Sequence, residues 1–292
     1  MAPVTVVMDT TGYLPGEVAA DVGIETVSLY VNFEGGARTV READLMTRLD
    51  TVYEDVRSSH AWPTTSQPSI GDFIACYEPL LSAGRDVVSI HISEGISGTV
   101  GAARQAAEQL ERDGKGGERV HVLDSASAAG GLGLIGLAAA RLARTGAGAE
   151  AVVERANAAR ADLKMWFAID TLEYLRHSGR IGAAQAWIGS TLKIKPILTL
   201  EAEISPVERV RTSKRAFERM VDYARQRHAS GADAWVVQHI RSEDEAQRLT
   251  EACREVFGCE PAFVSEVGPV LGVHTGPGLL GVGGIPPALL EG

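Results

Sequence analysis

The chain has 292 residues, 45% of them hydrophobic, and a formal net charge of −10 at pH 7. This length and apolar content suit a sizeable core, in one large domain or, in our interpretation, in two. The acidic charge argues against the phosphate backbone of a nucleic acid as the partner, because nucleic-acid-binding surfaces are basic.

Cysteine usage and the apolar runs of the sequence predict where the protein resides. The three cysteines form no CxxC pair and leave an odd count, which is typical of reduced thiols in a reducing compartment. The first residues lack the basic and apolar regions of a signal peptide. The longest uncharged apolar run, residues 126–140, is too short and too rich in glycine to span a bilayer. We therefore expect a cytoplasmic protein with no integral membrane segment.

The first half of the chain alternates between apolar runs and helical patterns. Residues 4–8 are continuous and mostly β-branched, which predicts a buried first strand. Ser69 is expected to cap the helix after a hydroxyl-rich loop at 62–69. The alternation indicates a parallel sheet with helices on both faces. Further strands are predicted at 24–31, 86–92 and 120–123, and helices at 41–56, 70–81, 99–113 and 150–162, with a small-residue helix ending at 144.

The second half has a different pattern, with neighbouring strands that follow one another directly. Its strands are predicted at 165–169, 194–200, 204–210, 235–240, 262–265 and 279–282, and its helices at 171–179, 212–228 and 243–257. We place a domain boundary near residue 162. The fold class is then α/β, with an N-terminal three-layer parallel-sheet domain (1–162) and a C-terminal two-layer mixed α/β domain (163–292).

The segment Gly268–Gly278 carries one histidine, His274, between two Gly-Pro steps. Glycine permits unusual backbone angles and proline restricts them, so the pattern predicts a rigid segment that places one imidazole accurately. A tight turn with an incidental histidine is the alternative interpretation.

The glycines of Gly131–Gly136 match the pattern GxGxxG, which in some proteins binds a dinucleotide. That function requires the first glycine directly after a strand, whereas residues 124–129 intervene here. The glycines are therefore expected within a helix. Their smooth face would allow close approach of another backbone or of a long apolar ligand.

Hydroxyl groups and one helix start suggest an anion site. Ser97 begins a predicted helix, whose first amides favour an anion, and residues 64–66 offer further hydroxyl donors. A hydrolase using Ser97 and His274 is the alternative, although Gly95–Thr99 is not a G-x-S-x-G nucleophile elbow.

Acidic and basic residues at element ends have simpler interpretations. Asp9, Asp124 and Asp170 each follow a predicted strand, where helix capping is a better interpretation than magnesium binding. No group of residues has metal-ligand spacing, so no metal is expected. Arg180 lies beside a glycine turn, either as a solvated charge or as a docking residue for a protein partner.

Six segments occur in an order that resembles the DegV family of fatty-acid-binding proteins over nearly the whole chain. They are Thr65–Ser69, Ser97–Thr99, Asp124–Ser125, Thr171–Leu175 with Gly179–Ile181, Lys195–Leu198, and Gly268–Gly278.

The resemblance implies a non-catalytic carrier that buries one long-chain fatty acid in an apolar tunnel between its domains and uses no cofactor. It also implies that the chain presents the carboxylate to a partner fatty acid kinase, with Arg180 as the docking residue. The small-residue face of residues 131–140 is expected to line the tunnel. The residues implied to bind the carboxylate are Thr65, Ser66, Ser97, Gly98 and His274.

Overall fold

The computed structural model describes residues 2–58, 62–188 and 194–292. The strands in these residues are β1 (Val4–Asp9), β2 (Glu25–Val27), β3 (Tyr30–Phe33), β4 (Arg38–Arg41), β5 (Thr64–Ser66), β6 (Asp86–His91), β7 (Val120–Asp124), β8 (Lys164–Ala168), β9 (Lys195–Glu201), β10 (Glu203–Val210), β11 (Ala234–His239), β12 (Phe263–Glu266) and β13 (Leu280–Ile285). The helices are α1 (Gly16–Val22), α2 (Glu42–Leu45), α3 (Leu49–Ser58), α4 (Ile70–Ser82), α5 (Thr99–Arg112), α6 (Gly130–Arg144), α7 (Ala149–Asp162), α8 (Glu173–His177), α9 (Ser213–Ala229), α10 (Glu243–Phe257) and α11 (Pro269–Thr275).

The first half of the chain builds a four-stranded parallel sheet in the order β2-β1-β6-β7. All six residues of β1 are buried, as expected for a strand covered on both faces. Helices α4 and α5 pack on one face of the sheet, and α6 and α7 cover the other. The predicted three-layer arrangement of the first half is confirmed. Ser69 caps α4 in a capping box with Asp72, also as predicted.

The second half builds a six-stranded mixed sheet in the order β10-β9-β8-β13-β11-β12. Strands β9 and β10, which were predicted to be neighbours, pair with each other in antiparallel orientation. Helices α9 and α10 cover one face through a core that includes Trp235 and Met220. The other face packs against α6 and against the residues that line the candidate site. Thus α6 is shared between the two sheets.

A single strand over 24–31 was predicted, but the structure divides this run between two sheets. Strand β2 ends at Val27 and joins the parallel sheet, whereas β3 belongs to a three-stranded antiparallel sheet in the order β4-β3-β5. Between them, Ser28 Oγ donates to the Leu29 carbonyl (2.8 Å) and accepts from the Ala43 amide (3.1 Å). These local hydrogen bonds hold the chain where it changes sheets.

Two other local predictions were incomplete. The helix predicted at 41–56 is divided into α2, a 3-10 turn and α3. The loop predicted at 62–69 contains the short strand β5, which pairs with β3. Its three residues, Thr-Thr-Ser, are too few to be recognised as a strand from sequence.

The segment around His274 is the helix α11 rather than a tight turn. Pro269 occupies its first position, where proline fits because no intrahelical partner is needed for its nitrogen. The helix ends at Gly276, which has a φ of 75° and packs closely against the Tyr174 ring. The Gly-Pro steps therefore delimit a short helix, and His274 lies in its last turn.

The glycines of α6 serve packing between elements. A Cβ atom on Gly133 would lie 2.8 Å from the carbonyl oxygen of Gly12, and one on Gly136 would clash with Met8 of β1. This outcome confirms that the glycines lie within a helix that allows close backbone approach. None of the described helices is both long and apolar enough to cross a membrane.

Candidate functional site

A cavity of ≈270 Å³ lies where β5, the start of α5, the segment after α8, and α11 meet. Its lining includes every residue that the sequence analysis assigned to ligand binding or docking, namely Thr65, Ser66, Ser97, Gly98, Arg180 and His274. These residues are separated by as many as 209 positions in the chain. The structure thus brings the predicted set together at one place.

Strand β5 presents two of the hydroxyl groups. Thr65 lies opposite Val31 of β3, so the pairing of these strands fixes its position. Ser66 Oγ accepts a hydrogen bond from Asn32 Nδ2 at 2.7 Å. The Ser66 hydroxyl proton therefore remains available to an acceptor in the cavity.

Ser97 lies just before the N-terminus of α5, a helix of 14 residues. Its Oγ accepts from the Thr99 amide (3.3 Å) and lies 2.8 Å from Thr99 Oγ1. Gly98 is the N-cap residue, and Ser97 directly before it places its hydroxyl where the positive end of the helix dipole favours an anion. Gly98 lines the same side of the cavity.

His274 contacts Thr65 across the cavity, with Nε2 2.7 Å from Oγ1. Burial, with a smaller contribution from the Arg180 charge, lowers the pKa of His274 to about 4. The ring is therefore neutral at pH 7. If Nε2 carries the proton and donates to Thr65, then the threonine hydroxyl proton is free to donate to a ligand.

The other imidazole nitrogen of His274 has no partner among the described residues, although it is buried. Buried polar atoms normally have hydrogen-bond partners, so each exception calls for an explanation. Arg227 Nε and Trp235 Nε1 also lack a partner among the described residues, but of the three residues only His274 lines this cavity.

Arg180 is exposed and lines the cavity at the same time. Its Nη1 donates to the carbonyl of Ser178 at 2.6 Å, within the turn after α8. Its guanidinium charge contributes to the lowered pKa of His274, which lines the same cavity. The glycine turn that suggested an exposed arginine therefore carries it at the mouth of the cavity.

Glu42 positions the helix that carries His274, and sequence reasoning did not identify it. Its buried carboxylate accepts from Thr10 Oγ1 (2.6 Å), Tyr13 Oη (2.6 Å) and the amide of Val270 (2.8 Å). Burial raises the pKa of Glu42 to about 7, against the opposing effect of these three donors. The carboxyl group links the end of β1 to the first turn of α11. No periodicity signals a buried glutamate, because the residue is usually exposed.

A smaller cavity of ≈50 Å³ adjoins the first and shares Ile96, Ile204, Leu271 and Thr275 with it. Most of its remaining lining is apolar, from β8, β9 and the segments before α11 and β13. The apolar residues in question are Met165, Phe167, Leu200, Val267 and Leu279. Together the two cavities have a polar mouth and a mainly apolar end. Pockets of this kind orient an amphipathic ligand through a few polar groups.

The small-residue face of residues 131–140 does not line either cavity, so that prediction was wrong. The glycines pack instead against β1, the turn at Gly12 and Phe263. From the segment directly before α6, Ser127, Ala128 and Ala129 reach the apolar end. Periodicity showed that the helix face is smooth, but not which neighbour covers it.

The geometry of Ser97 and His274 differs from that of a hydrolase. A serine nucleophile requires a hydrogen bond to its general base. Here Ser97 Oγ contacts Thr99 Oγ1, and His274 Nε2 contacts Thr65 Oγ1.

The three aspartates at strand ends lie in separate settings. Asp9 accepts from the Thr11 amide as a cap, Asp124 accepts from the amides of Glu94 and Ala126, and Asp170 pairs with Lys195.

A different group, His239, Glu243 and Glu266, has ligand atoms within 4.8 Å of one another, which sequence spacing did not reveal. Arg241 Nη1 lies 3.3 Å from Glu243 and 3.1 Å from Glu266, so a cation of the protein already offsets part of the negative charge of this group.

The chain matches the family model described as "Uncharacterised protein, DegV family" over residues 3–286. It is 39% identical to a DegV domain-containing protein of Streptomyces coelicolor over 284 residues, which cover 96% of this chain and 97% of that protein.

Two solved structures are also similar to this one. A DegV family protein from Thermus thermophilus, reported for fatty acid binding, has 33% identity and a TM-score of 0.83, with 97% of this chain and 99% of that chain covered. DegV of Bacillus subtilis, described as a fatty acid binding protein, has 32% identity, a TM-score of 0.83 and the same coverage. Because the family model and these relatives span almost the whole chain, the protein belongs to the DegV family.

Proposed function

We propose that this protein binds one long-chain fatty acid, with the carboxylate at the polar mouth and the acyl chain in the apolar end of the cavity. The observation that carries the proposal is the continuity of these two environments at the shared residues Ile96, Ile204, Leu271 and Thr275. The two relatives described as fatty acid binding support it.

The contributions of the two ends differ in kind. Burial of an alkyl chain yields about 0.8 kcal/mol per methylene, or roughly 10 kcal/mol for a long chain before ordering costs. Each hydrogen bond to a charged acceptor contributes about 1.5–3 kcal/mol. The apolar end therefore supplies most of the affinity, while Thr65, Ser66, Ser97, the helix start at Gly98 and His274 determine the orientation.

We further propose that the protein acts as a non-catalytic carrier that presents the carboxylate to a partner fatty acid kinase. Arg180 is the docking residue in this proposal, because it is exposed and lines the mouth through which a partner reaches the carboxylate. The same position lets its charge act on the carboxylate or on an acyl phosphate.

Titration with octadecanoic acid and with octadecanol of equal length tests carboxylate recognition. We expect the acid to bind at least tenfold more tightly, because the alcohol lacks the anion that the mouth accommodates. Equal affinities would remove the carboxylate site from the proposal.

Native mass spectrometry of protein purified from cells separates carriage from catalysis. A co-purifying fatty acid is expected for a carrier. An empty protein that cleaves short acyl esters, with activity lost in Ser97→Ala, would support the hydrolase instead.

Docking requires a separate measurement with the kinase present. We expect Arg180→Ala to retain fatty acid binding within a few-fold but to lose acyl-phosphate formation. Arg176→Ala is a matched control, because Arg176 is exposed on α8 and lies outside the lining of the cavity. Unchanged acyl-phosphate formation by Arg180→Ala would reject the docking role.

A further inference from the structure

Besides Thr275, whose hydroxyl donates to the Leu271 carbonyl (2.9 Å), the apolar end of the cavity contains two polar side chains, Gln238 and Ser127. Gln238 is 5% exposed and Ser127 is 4% exposed, so neither is solvated by bulk water. A plain alkyl chain offers neither residue a hydrogen bond. Their presence is unexpected for a compartment that only holds hydrocarbon.

Gln238 is held so that its nitrogen remains the free end of the amide. Its Oε1 accepts from the Gly130 amide at the first turn of α6 (2.9 Å), which assigns the other terminal atom as the Nε2 donor group. Among the described residues, the Gly130 amide is the one hydrogen-bond partner of this side chain, so Nε2 has no partner there. The position opposite Gln238 on β13 is Gly281, and a Cβ atom there would lie 3.0 Å from Nε2. The glycine leaves room for the amide.

Ser127 lies in the loop between β7 and α6, and its hydroxyl likewise has no partner among the described residues. Its carbonyl accepts from the Ser93 amide (2.8 Å) and from Ser125 Oγ (3.1 Å), which holds the backbone in place. Ala126 and Ala129 on either side both have a φ of 50°, a conformation that costs a non-glycine residue energy. The loop is thus held in an unfavourable conformation where it lines the cavity.

Gln238 and Ser127 line the cavity, so an acyl chain that fills it displaces water from their polar groups. An unpaired donor against hydrocarbon carries a desolvation penalty, and a ligand oxygen removes it. The Gln238 amide donates, and the Ser127 hydroxyl both donates and accepts. Neither group is charged, so the complementary ligand group is a neutral oxygen rather than a second carboxylate, whose burial without a cation is unfavourable. A hydroxyl or a carbonyl oxygen on the acyl chain fits this requirement.

We propose that Gln238 and Ser127 form a recognition site for an oxygen substituent within the acyl chain, so that hydroxy or oxo fatty acids are preferred ligands. The inference rests on the proposed fatty acid function and adds the ligand class. Carboxylate recognition at the mouth and oxygen recognition at the apolar end then select the same molecule from both ends of the cavity.

The experiment measures Kd for octadecanoic acid and for a series of hydroxyoctadecanoic acids that carry the hydroxyl at successive carbons. We expect a narrow range of hydroxyl positions to bind about fivefold to tenfold more tightly than the unsubstituted acid, as one or two hydrogen bonds predict. The ratio of the Kd for octadecanoic acid to the Kd for the best hydroxy isomer measures this preference. In Gln238→Met, which keeps the length of the side chain and removes the donor, the ratio is expected to fall to about one or below.

Two further variants distinguish a loss of recognition from a folding defect, which Gln238→Met could cause because Gln238 also holds the first turn of α6. Ser127→Ala leaves that hydrogen bond in place and is expected to lower the ratio at the same hydroxyl positions. Gln226→Met, on the exposed face of α9, is the matched control and should keep the parent ratio.

The outcomes separate the two levels of the proposal. If the parent binds octadecanoic acid as tightly as every hydroxy isomer, or more tightly, the recognition site is rejected while fatty acid binding stands. A parent ratio that persists in both Gln238→Met and Ser127→Ala also rejects it. Failure of every acid to bind rejects the fatty acid function and the inference with it.

Discussion

Two histidines make the same contact in different regions of this protein. His91 in the parallel sheet places Nε2 2.7 Å from Ser89 Oγ, and His274 in the candidate site places Nε2 2.7 Å from Thr65 Oγ1. The second nitrogen distinguishes them. His91 Nδ1 lies 3.2 Å from Asp9 Oδ2, whereas His274 Nδ1 has no partner among the described residues.

The two regions differ in how many of their buried polar atoms have hydrogen-bond partners within the protein. Asp9 also accepts from the amides of Thr11 (3.0 Å) and Ile92 (2.8 Å), and Ser89 Oγ lies 2.7 Å from Tyr77 Oη. This network is buried, and every polar atom described in it has a partner within the protein. Residues around His274 leave hydrogen-bonding capacity open toward a cavity. A histidine–hydroxyl pair therefore indicates a ligand site only where the surrounding network is incomplete.

The largest expected effect comes from removing His91 from the complete hydrogen-bond network in the parallel sheet. His91→Ala would remove one hydrogen-bond partner from each of the buried Asp9 and Ser89 and leave a cavity in the core, so we expect a loss of about 3–5 kcal/mol in the free energy of unfolding. Urea unfolding of parent and variant measures it. His228→Ala, which removes an exposed histidine from the pair with Asp233, is the control and should change stability by less than about 1 kcal/mol. A similar small loss in His91→Ala would contradict a structural role for the network.

Glu42 holds the first turn of α11, the helix that carries His274, and its protonation should make the stability of the protein depend on pH. The folded protein holds the Glu42 proton up to about pH 7, whereas the unfolded chain releases it near 4.5. The carboxyl group therefore favours the folded state at low pH. This contribution, up to about 3 kcal/mol, is lost as the pH rises from 4.5 to 7.

Glu42→Gln removes this titration while it retains an acceptor for the Val270 amide. The difference in unfolding free energy, parent minus Glu42→Gln, should fall steadily between pH 5 and pH 7.5. His274 acts in the opposite direction, because its lowered pKa means that protonation below pH 6.5 disfavours the folded state. His274 is present in both proteins, so it cancels in the difference. Parallel pH curves for parent and variant would rule out Glu42 as the titrating group.

Substitutions of residues that line the cavity around His274 should weaken ligand binding more than they lower the stability of the fold. Ser97→Ala and His274→Ala each remove one group from the mouth, and we expect a tenfold to hundredfold rise in the Kd for octadecanoic acid. Calorimetric titration provides the values, and thermal unfolding of the ligand-free variants provides the comparison with His91→Ala. Stability losses as large as that of His91→Ala, with unchanged Kd, would reverse our assignment of the two regions.

The smallest effect is expected at Ser66. Its Oγ already accepts from the exposed Asn32 side chain, and the residue is exposed at the rim of the cavity. Ser66→Ala should therefore raise Kd by no more than about fivefold, equivalent to roughly 1 kcal/mol. A loss as large as that of Ser97→Ala would place Ser66 in direct contact with the carboxylate.

Much of the fold followed from local pattern. The β-branched run at the start of the chain, the helix cap at Ser69 and the helix at Glu243–Phe257 depend on residues close in sequence, and the structure has each of them as predicted. Six ordered motifs also led to the DegV family and to the residues that line the mouth of the cavity.

Only the tertiary structure determined which distant groups meet and which face each surface covers. Glu42 binds the first turn of α11, 228 residues away. Gln238 lines the cavity from a strand whose six residues are all buried. The glycine face of α6 was visible in the sequence, but its neighbours are β1 and Gly12 rather than the ligand cavity. Periodicity reports how a residue is oriented on its own element. Contacts between elements depend on how those elements pack, and the structure was needed to identify them.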